Sequence, residues 1–337
     1  MAKVFLHIGM NKTGSSAIQS YFRQNKQVLK EAGLLWPDFG LGVGHHYGLS
    51  TALGFGDRKA EGQDASSRQA LRAALDKEIA TSGARTVVIS SEYFVVRRDL
   101  AALAEFFDGL DTQVVVYLRR HDAWWPSLFA QAIKTVPNPP WRRTFRSYYD
   151  FHARRHSQYF IFGELLDAMA DILGRDRIIV CPYESRQNQP NLMAHFLDQV
   201  GEPHLADRAP PSKTRVNAAL SVRSLSLIDL VQRANIAPDT KRHIINTIMA
   251  EDRGDSMQAL VPAPLRRKLA MDQADDYARI ARDYLGREDG VLFHDPLPEG
   301  KDGDDLGTLP FPRPVEFFAP HFHPGANASD SPETDRQ

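Results

Sequence analysis

Residues 3–22 read KVFLHIGMNKTGSSAIQSYF. An apolar run from Val4 to Ile8 leads into a glycine-bounded turn, after which Ile18, Tyr21 and Phe22 recur at helical spacing. A strand, a Gly-rich turn and a helix N-terminus in that order make a cradle for phosphate, because the turn's amides and the first-turn amides all point at the ligand. Gly9 and Gly14 have the separation of an ATP-type loop, G-x-x-x-x-G-K-[ST]. The lysine does not follow that pattern: Ser15 stands in its place, and Lys12 sits at the tip of the loop. The plain alternative is a glycine-rich turn with a solvated lysine, since one such motif is weak evidence.

Outward from the loop, strands alternate with helices. The periodicity predicts a helix over about 15–32, then a long Gly-, Asp- and His-rich loop over 37–65, a length that is often functional. A helix over about 67–82 leads to the buried-type strand TVVISSE, ending at Ser90. A helix over about 99–107 precedes the strand QVVVYL (113–118). DAWWPSLFAQAIK reads as a helix in which Pro126 requires a late start or a kink. After a Pro- and Arg-rich connection, helices near 159–173 and 190–200 flank the strand RIIVC (177–181). Near-continuous apolar strands separated by helices argue for an α/β fold: a parallel sheet of four to five strands covered on both faces. Residues 216–286 carry three helical patterns and no convincing strand, and from about 295 the chain turns to Pro, Gly and Asp. The expected organisation is one domain over 1–290 with a helical part at 216–286, and an extended or partly disordered tail over 291–337.

Composition narrows the partners. Forty-one basic against 42 acidic residues give a net charge of −1, so no global basic field points to nucleic acid, and any anion must be held by local groups. The single cysteine, Cys181, excludes a disulfide framework and fits a reducing compartment. No apolar run reaches the ~18 residues of a membrane span. With a strand beginning at Lys3 there is no room for a signal peptide, so the expectation is a soluble, cytoplasmic protein.

The chemistry follows from what the strand ends carry. An ATP-type site needs a metal-holding aspartate, but VVISSE ends in Ser-Ser-Glu and VVVYLRR in Arg119 and Arg120. Ser15 and Ser16 offer hydroxyl donors, and no divalent-metal site is evident. A transferred group with little charge suits a loop with one lysine; a sulfuryl group, with a single negative charge, fits better than a γ-phosphoryl. Ser127 follows eight residues after Arg119. In an open parallel sheet ligands bind beyond the carboxyl ends of the strands, so Arg119 lies on the same edge as the loop, where an arginine fork plus a hydroxyl suits a second phosphate. The competing reading of that pair is a helix-capping and surface-charge cluster.

Together these residues resemble the sulfotransferases that use 3′-phosphoadenosine 5′-phosphosulfate (PAPS), whose fold is a P-loop NTPase-like sheet. GMNKTGSS looks like that superfamily's 5′-phosphosulfate loop, and VVVYLRRHDAWWPSLF is similar to its 3′-phosphate motif. The start HIG followed by KTG, with SSEYF, CPYES and RVNAALS, resembles the bacterial branch, over about residues 3–235. The resemblance implies that Asn11, Lys12, Thr13, Gly14, Ser15 and Ser16 line the 5′-phosphosulfate, and that Arg119 and Ser127 hold the 3′-phosphate. It also implies that Tyr183 approaches the adenine, with Lys213 or Arg215 closing over the 3′-phosphate. Ala17 departs from the aromatic residue that many relatives carry after the paired hydroxyl residues.

The implied reaction is in-line transfer of a sulfuryl group from PAPS to a hydroxyl or amine of a carbohydrate, glycolipid or other small acceptor, leaving adenosine 3′,5′-bisphosphate, with no metal. Lys12 would meet the charge that builds on the leaving oxygen. Glu92, just after its strand, is the first candidate base, and His46, with His45, the second. Glu92 also reads simply as a helix N-terminal carboxylate. The aromatic and basic stretch 137–160 suits an acceptor pocket, and equally a packing surface or a homodimer contact. A small-molecule kinase using ATP and Mg²⁺, and a non-catalytic nucleotide-binding protein, are the other readings.

Overall fold

Five apolar runs pair edge to edge in the computed structural model, which describes residues 2–42, 44–55, 65–95, 100–154, 161–209, 220–252 and 260–299. The first strand, β1 (Lys3–Ile8), is followed by the helices α1 (Ser15–Gln24) and α2 (Lys26–Glu31) and a two-residue strand, β2 (Leu34–Leu35). Next come α3 (Tyr47–Ala52), α4 (Ala65–Ser82), β3 (Thr86–Ser91), α5 (Leu100–Phe107), β4 (Asp111–Leu118), α6 (His121–Thr135), α7 (Phe145–Ala153) and α8 (Phe162–Leu173). The last strand, β5 (Ile178–Pro182), precedes α9 (Leu192–Gln199) and α10 (Leu205–Arg208). The remaining helices are α11 (Val222–Arg233), α12 (Pro238–Glu251), α13 (Ala263–Met271) and α14 (Ala274–Leu285).

The sheet runs β2-β3-β1-β4-β5 and every pairing is parallel. This is the expected α/β sheet flanked by helices, with β2 as a short fifth strand at the edge. Strand alternation sends Val4, Leu6 and Ile8 to one face and Phe5 to the other. The first face packs on Leu75 of α4, Leu103 of α5, Trp124 of α6 and Leu165 of α8, and the second on Ile18 and Phe22 of α1 and Phe196 of α9. Burial on both faces is why the strands read as continuous apolar runs. The chain leaves β1 toward β3 in one direction and crosses over it to β4 and β5 in the other. The strand order therefore reverses at the carboxyl end of β1, the position where open parallel sheets take ligands.

Several local expectations change. The helix expected over 15–32 breaks at Asn25, whose side-chain amide donates to the Tyr21 carbonyl at 3.0 Å and ends the first segment. The long loop contains α3. The connection after α6 contains α7, where the Thr144 hydroxyl accepts the Ser147 amide at 3.1 Å, a side-chain N-cap. Pro126 lies inside α6, where its missing N–H leaves the Asp122 carbonyl without the usual helical donor. The Arg266 guanidinium fills the gap at 3.0 Å. Residues 291–299 run extended and are pinned to the sheet edge: the Glu184 carboxylate accepts the amides of His294 (2.6 Å) and Asp295 (3.1 Å). Among the described residues, no helix is long and apolar enough to cross a membrane.

Candidate functional site

Gly9 to Gly14 form the turn between β1 and α1, and two residues in it take left-handed backbone: Lys12 (φ 66°) and Gly14 (φ 82°). Glycine adopts this region freely, whereas a lysine there is held at a cost of about 1–2 kcal/mol. The holding contacts come from α6 and the end of β4. The Arg119 guanidinium donates to the Lys12 carbonyl at 3.0 Å, and the Trp124 indole N–H donates to the Asn11 carbonyl at 2.7 Å. Inside the turn, the Thr13 hydroxyl donates to the Met10 carbonyl at 2.6 Å, and the buried Ser15 hydroxyl reaches the same carbonyl at 3.1 Å. Thr13 and Ser15 thus spend their hydroxyls bracing the loop. Asn11 and Ser16 are exposed. Beneath the loop, Gln19 of α1 donates to the Ser90 hydroxyl at 3.2 Å, which lies 2.9 Å from Nδ1 of buried His7, so the helix is tied to the sheet floor.

Two close approaches shape the mouth of the turn. A methyl group at Gly14 would run into Leu192 and stand 3.1 Å from the Tyr183 ring. Gly14 therefore lets the helix N-terminus meet Tyr183 without a side chain between them. Among the described residues, the amides of Gly14, Ser15 and Ser16 have no backbone acceptor, as at any helix start. The Arg119 guanidinium stands 5.7 Å from the centre of the Tyr183 ring, a cation–π distance that joins the β4 and β5 ends.

The charges converge with one sign in excess. The Lys12 amine lies 3.5 Å from Gln131 Oε1 of α6, too long for a strong bond. Burial, then Lys134 and then Arg119 push its pKa down, and only Glu92 opposes them. Lys134 is itself pushed down by burial, and so is Arg119. Around Lys12, three cations, Lys12, Lys134 and Arg119, face one carboxylate, Glu92, while Asp122 acts on Arg119. Glu92 opens the 3-10 turn after β3 and is pushed above the ordinary carboxylate range by burial, with the Ser15 hydroxyl and Lys12 opposing. Gln131 and Lys134 are the residues that reading the sequence missed; their spacing on α6 is a signal only once Lys12 is known to lie beside that helix.

Other expected residues fall elsewhere. His46 does not suit the role of alternative base. It is fully buried, Nδ1 accepts the Ser90 amide at 3.1 Å, Nε2–H donates to the Pro37 carbonyl at 3.2 Å, and burial drives its pKa to about 3. It fastens the loop after β2 to β3. His45 stacks on Tyr93 with ring centres 6.1 Å apart, and burial lowers its pKa. Arg120 turns away from Arg119 to pair with Asp122 at 2.8 Å and to donate to the carbonyls of Asp295 and Pro296. Ser127 is half-buried on α6. Lys213 and Arg215 lie outside the described residues.

No protein-family profile matches the chain. An uncharacterized protein of Archaeoglobus fulgidus is 22% identical over 213 residues, which cover 61% of this chain and 56% of that relative, so the chain spans little more than half the relative's length. Among solved structures, a sulfotransferase from Alicyclobacillus acidocaldarius aligns with a TM-score of 0.40 and 14% identity, over 74% of this chain and 94% of the other. A likeness that distant carries no argument about chemistry, which rests on the residues around the Gly9–Gly14 turn.

Proposed function

We propose that this protein transfers a sulfuryl group from PAPS to a hydroxyl or amine of a small or carbohydrate acceptor, with adenosine 3′,5′-bisphosphate as the other product. The observation that carries this reading is the convergence of Lys12, Arg119 and the α1 amides at the carboxyl end of β1, with Tyr183 at the end of β5 beside Arg119. The turn suits a phosphate, because the first amides of α1 have no backbone acceptor and the cations around Lys12 outnumber the one carboxylate, Glu92, that acts on it.

PAPS supplies the sulfuryl group, a phosphate leaving group and a second, 3′-phosphate to bind. Lys12 and the first amides of α1 hold negative charge at the loop, so their stabilisation is greatest where charge builds on the leaving oxygen. Arg119 uses one nitrogen on the Lys12 carbonyl and keeps its remaining donors for the 3′-phosphate, which couples the two phosphate positions through one side chain. Tyr183 offers a face for the adenine. Glu92 receives the proton of the acceptor. Partial burial makes its carboxylate a better base than an exposed one, and it lies beside the Ser15 side chain across Gly9.

One contact favours the kinase reading. A carboxylate at a strand end beside the Ser15 hydroxyl is the pairing that holds Mg²⁺ in nucleoside-triphosphate enzymes. The lysine position opposes it. Calorimetry with adenosine 3′,5′-bisphosphate and with ATP·Mg²⁺ separates the two. Tight metal-independent binding of the bisphosphate is expected; a preference for ATP·Mg²⁺ overturns the proposal.

A further inference from the structure

α7 has two faces with different tasks. Phe145, Tyr148 and Tyr149 pack on α6, with ring centres 5.7 Å (Phe129–Phe145), 5.1 Å (Phe129–Tyr148) and 5.0 Å (Trp125–Tyr149) apart. The other face, with the loop before α7, lines an open pocket of about 650 Å³. Three arginines line it, Arg142, Arg146 and Arg154, against the single carboxylate of Asp150. Asp150 is bound by Arg146 at 2.9 and 3.0 Å. The guanidiniums of Arg142 and Arg154 have no ion-pair partner among the described residues. In a chain of net charge −1, this is a local excess of two positive charges. Trp141 and Phe151 add aromatic surface, and the buried indole N–H of Trp141 has no acceptor among the described residues.

The wall is fixed in advance by buried polar anchors. The Asn138 amide donates to the Gln232 carbonyl at 3.0 Å, and Lys241 bonds that same carbonyl at 2.7 Å. Arg233 holds the Trp141 carbonyl at 2.9 Å, while Arg143 pairs at 2.8 Å with Asp229, which is 1% exposed. A loop tied down at this many points presents Arg142 and Arg154, which have no ion-pair partner among the described residues, on a fixed frame that a ligand need not order.

We propose that this cavity binds a small acidic ring compound, a sugar acid or an aryl acid. The anionic group would take the fork of Arg142 or Arg154, and the ring would lie on the aromatic wall. The site is separated from Lys12 by the α6–α7 layer, and the inference stands whether or not the loop holds a phosphosulfate.

The test is calorimetry on the full chain with four probes: methyl glucuronide, phenyl sulfate, inorganic sulfate and phenol. One of the two ring acids binds, at least about tenfold more tightly than sulfate or phenol, and which one it is names the source. Arg142→Ala with Arg154→Ala weakens that binding about tenfold or more, Asp150→Asn tightens it, and Lys12→Met leaves it unchanged. An unchanged melting temperature and far-UV circular dichroism spectrum establish that the double variant is folded; if it is not, the single Arg154→Gln must still weaken the ring acid. The proposal falls if neither ring acid binds, if inorganic sulfate binds equally well, or if the arginine variants bind as before. It falls too if Lys12→Met abolishes the binding, which would assign the probe to the loop.

Discussion

Replacing Lys12 should separate its charge from its backbone. The residue sits at φ 66° in the left-handed region, and its amine is crowded by Lys134 and Arg119. Lys12→Met removes the cation and keeps the strained backbone; Lys12→Gly removes both. Taking away a cation that its neighbours repel leaves stability unchanged or slightly raised in the ligand-free protein. Relief of left-handed strain is worth about 1–2 kcal/mol. Glycine returns about 0.5–1 kcal/mol of this through its freer unfolded chain. Lys12→Gly is therefore expected to be more stable than Lys12→Met by roughly 0.5–1 kcal/mol.

Binding moves the other way. A hydrogen bond to a charged group is worth about 1.5–3 kcal/mol, so both variants should bind adenosine 3′,5′-bisphosphate about 10- to 150-fold more weakly. Urea unfolding gives the stabilities and calorimetry the affinities. A variant that loses more than about 1 kcal/mol of stability while binding the bisphosphate normally would refute the reasoning. Lys12 would then be a structural residue, not a ligand-binding one.

Three further outcomes can be measured. Burial raises the Glu92 pKa, so the ionised group costs folding energy above its folded pKa, and any stability it adds is complete only below the unfolded pKa. Glu92→Gln should raise stability at neutral pH, with the gain vanishing near about pH 4, and should lower turnover by about 10²–10⁴-fold; a pH-independent difference in urea midpoints contradicts this. Gly14→Ala should cost about 1–2 kcal/mol for its φ alone, plus the collision with Leu192. Adding Leu192→Ala should recover only the collision, and a double-mutant cycle without coupling would mean that the two residues do not meet. Arg266→Ala leaves the Asp122 carbonyl unpaired and should cost about 1–3 kcal/mol. The loss should shrink when Pro126→Ala restores the helical N–H, and equal losses in both backgrounds would disprove the substitution of one donor for the other.

The features legible in the sequence were those written locally. β1, its turn and α1 announce themselves through an apolar run, two glycines and helical spacing within 22 residues. The strands are legible because burial on both faces makes them continuously apolar. Contacts between distant segments were hidden. Nothing in the sequence brings Gln131 and Lys134 to Lys12, because a crossover over β1 sets that distance. His46 shows the same limit from the other side: its type suggests a base, while its surroundings, Trp36, Phe39 and two backbone partners, make it part of the core. α7 carried readable signals in Thr144, Ser147 and the spacing of Phe145, Tyr148 and Tyr149, but they were outweighed by the prolines before it.

The clasp at Glu184 bears on the order in which the molecule is completed. On the ribosome the chain emerges from its N-terminus, so the Gly9 turn, Arg119 and Tyr183 are all made before the segment that finishes their edge. Until His294 and Asp295 arrive, the Glu184 carboxylate lacks its amide donors, and Arg120 lacks the carbonyls of Asp295 and Pro296. The edge that carries Arg119 is thus assembled from residues more than a hundred positions apart, and a nascent chain stopped at α12 would expose the turn without its finished neighbour. That neighbour is complete only once α14 and the extended segment after it have been made.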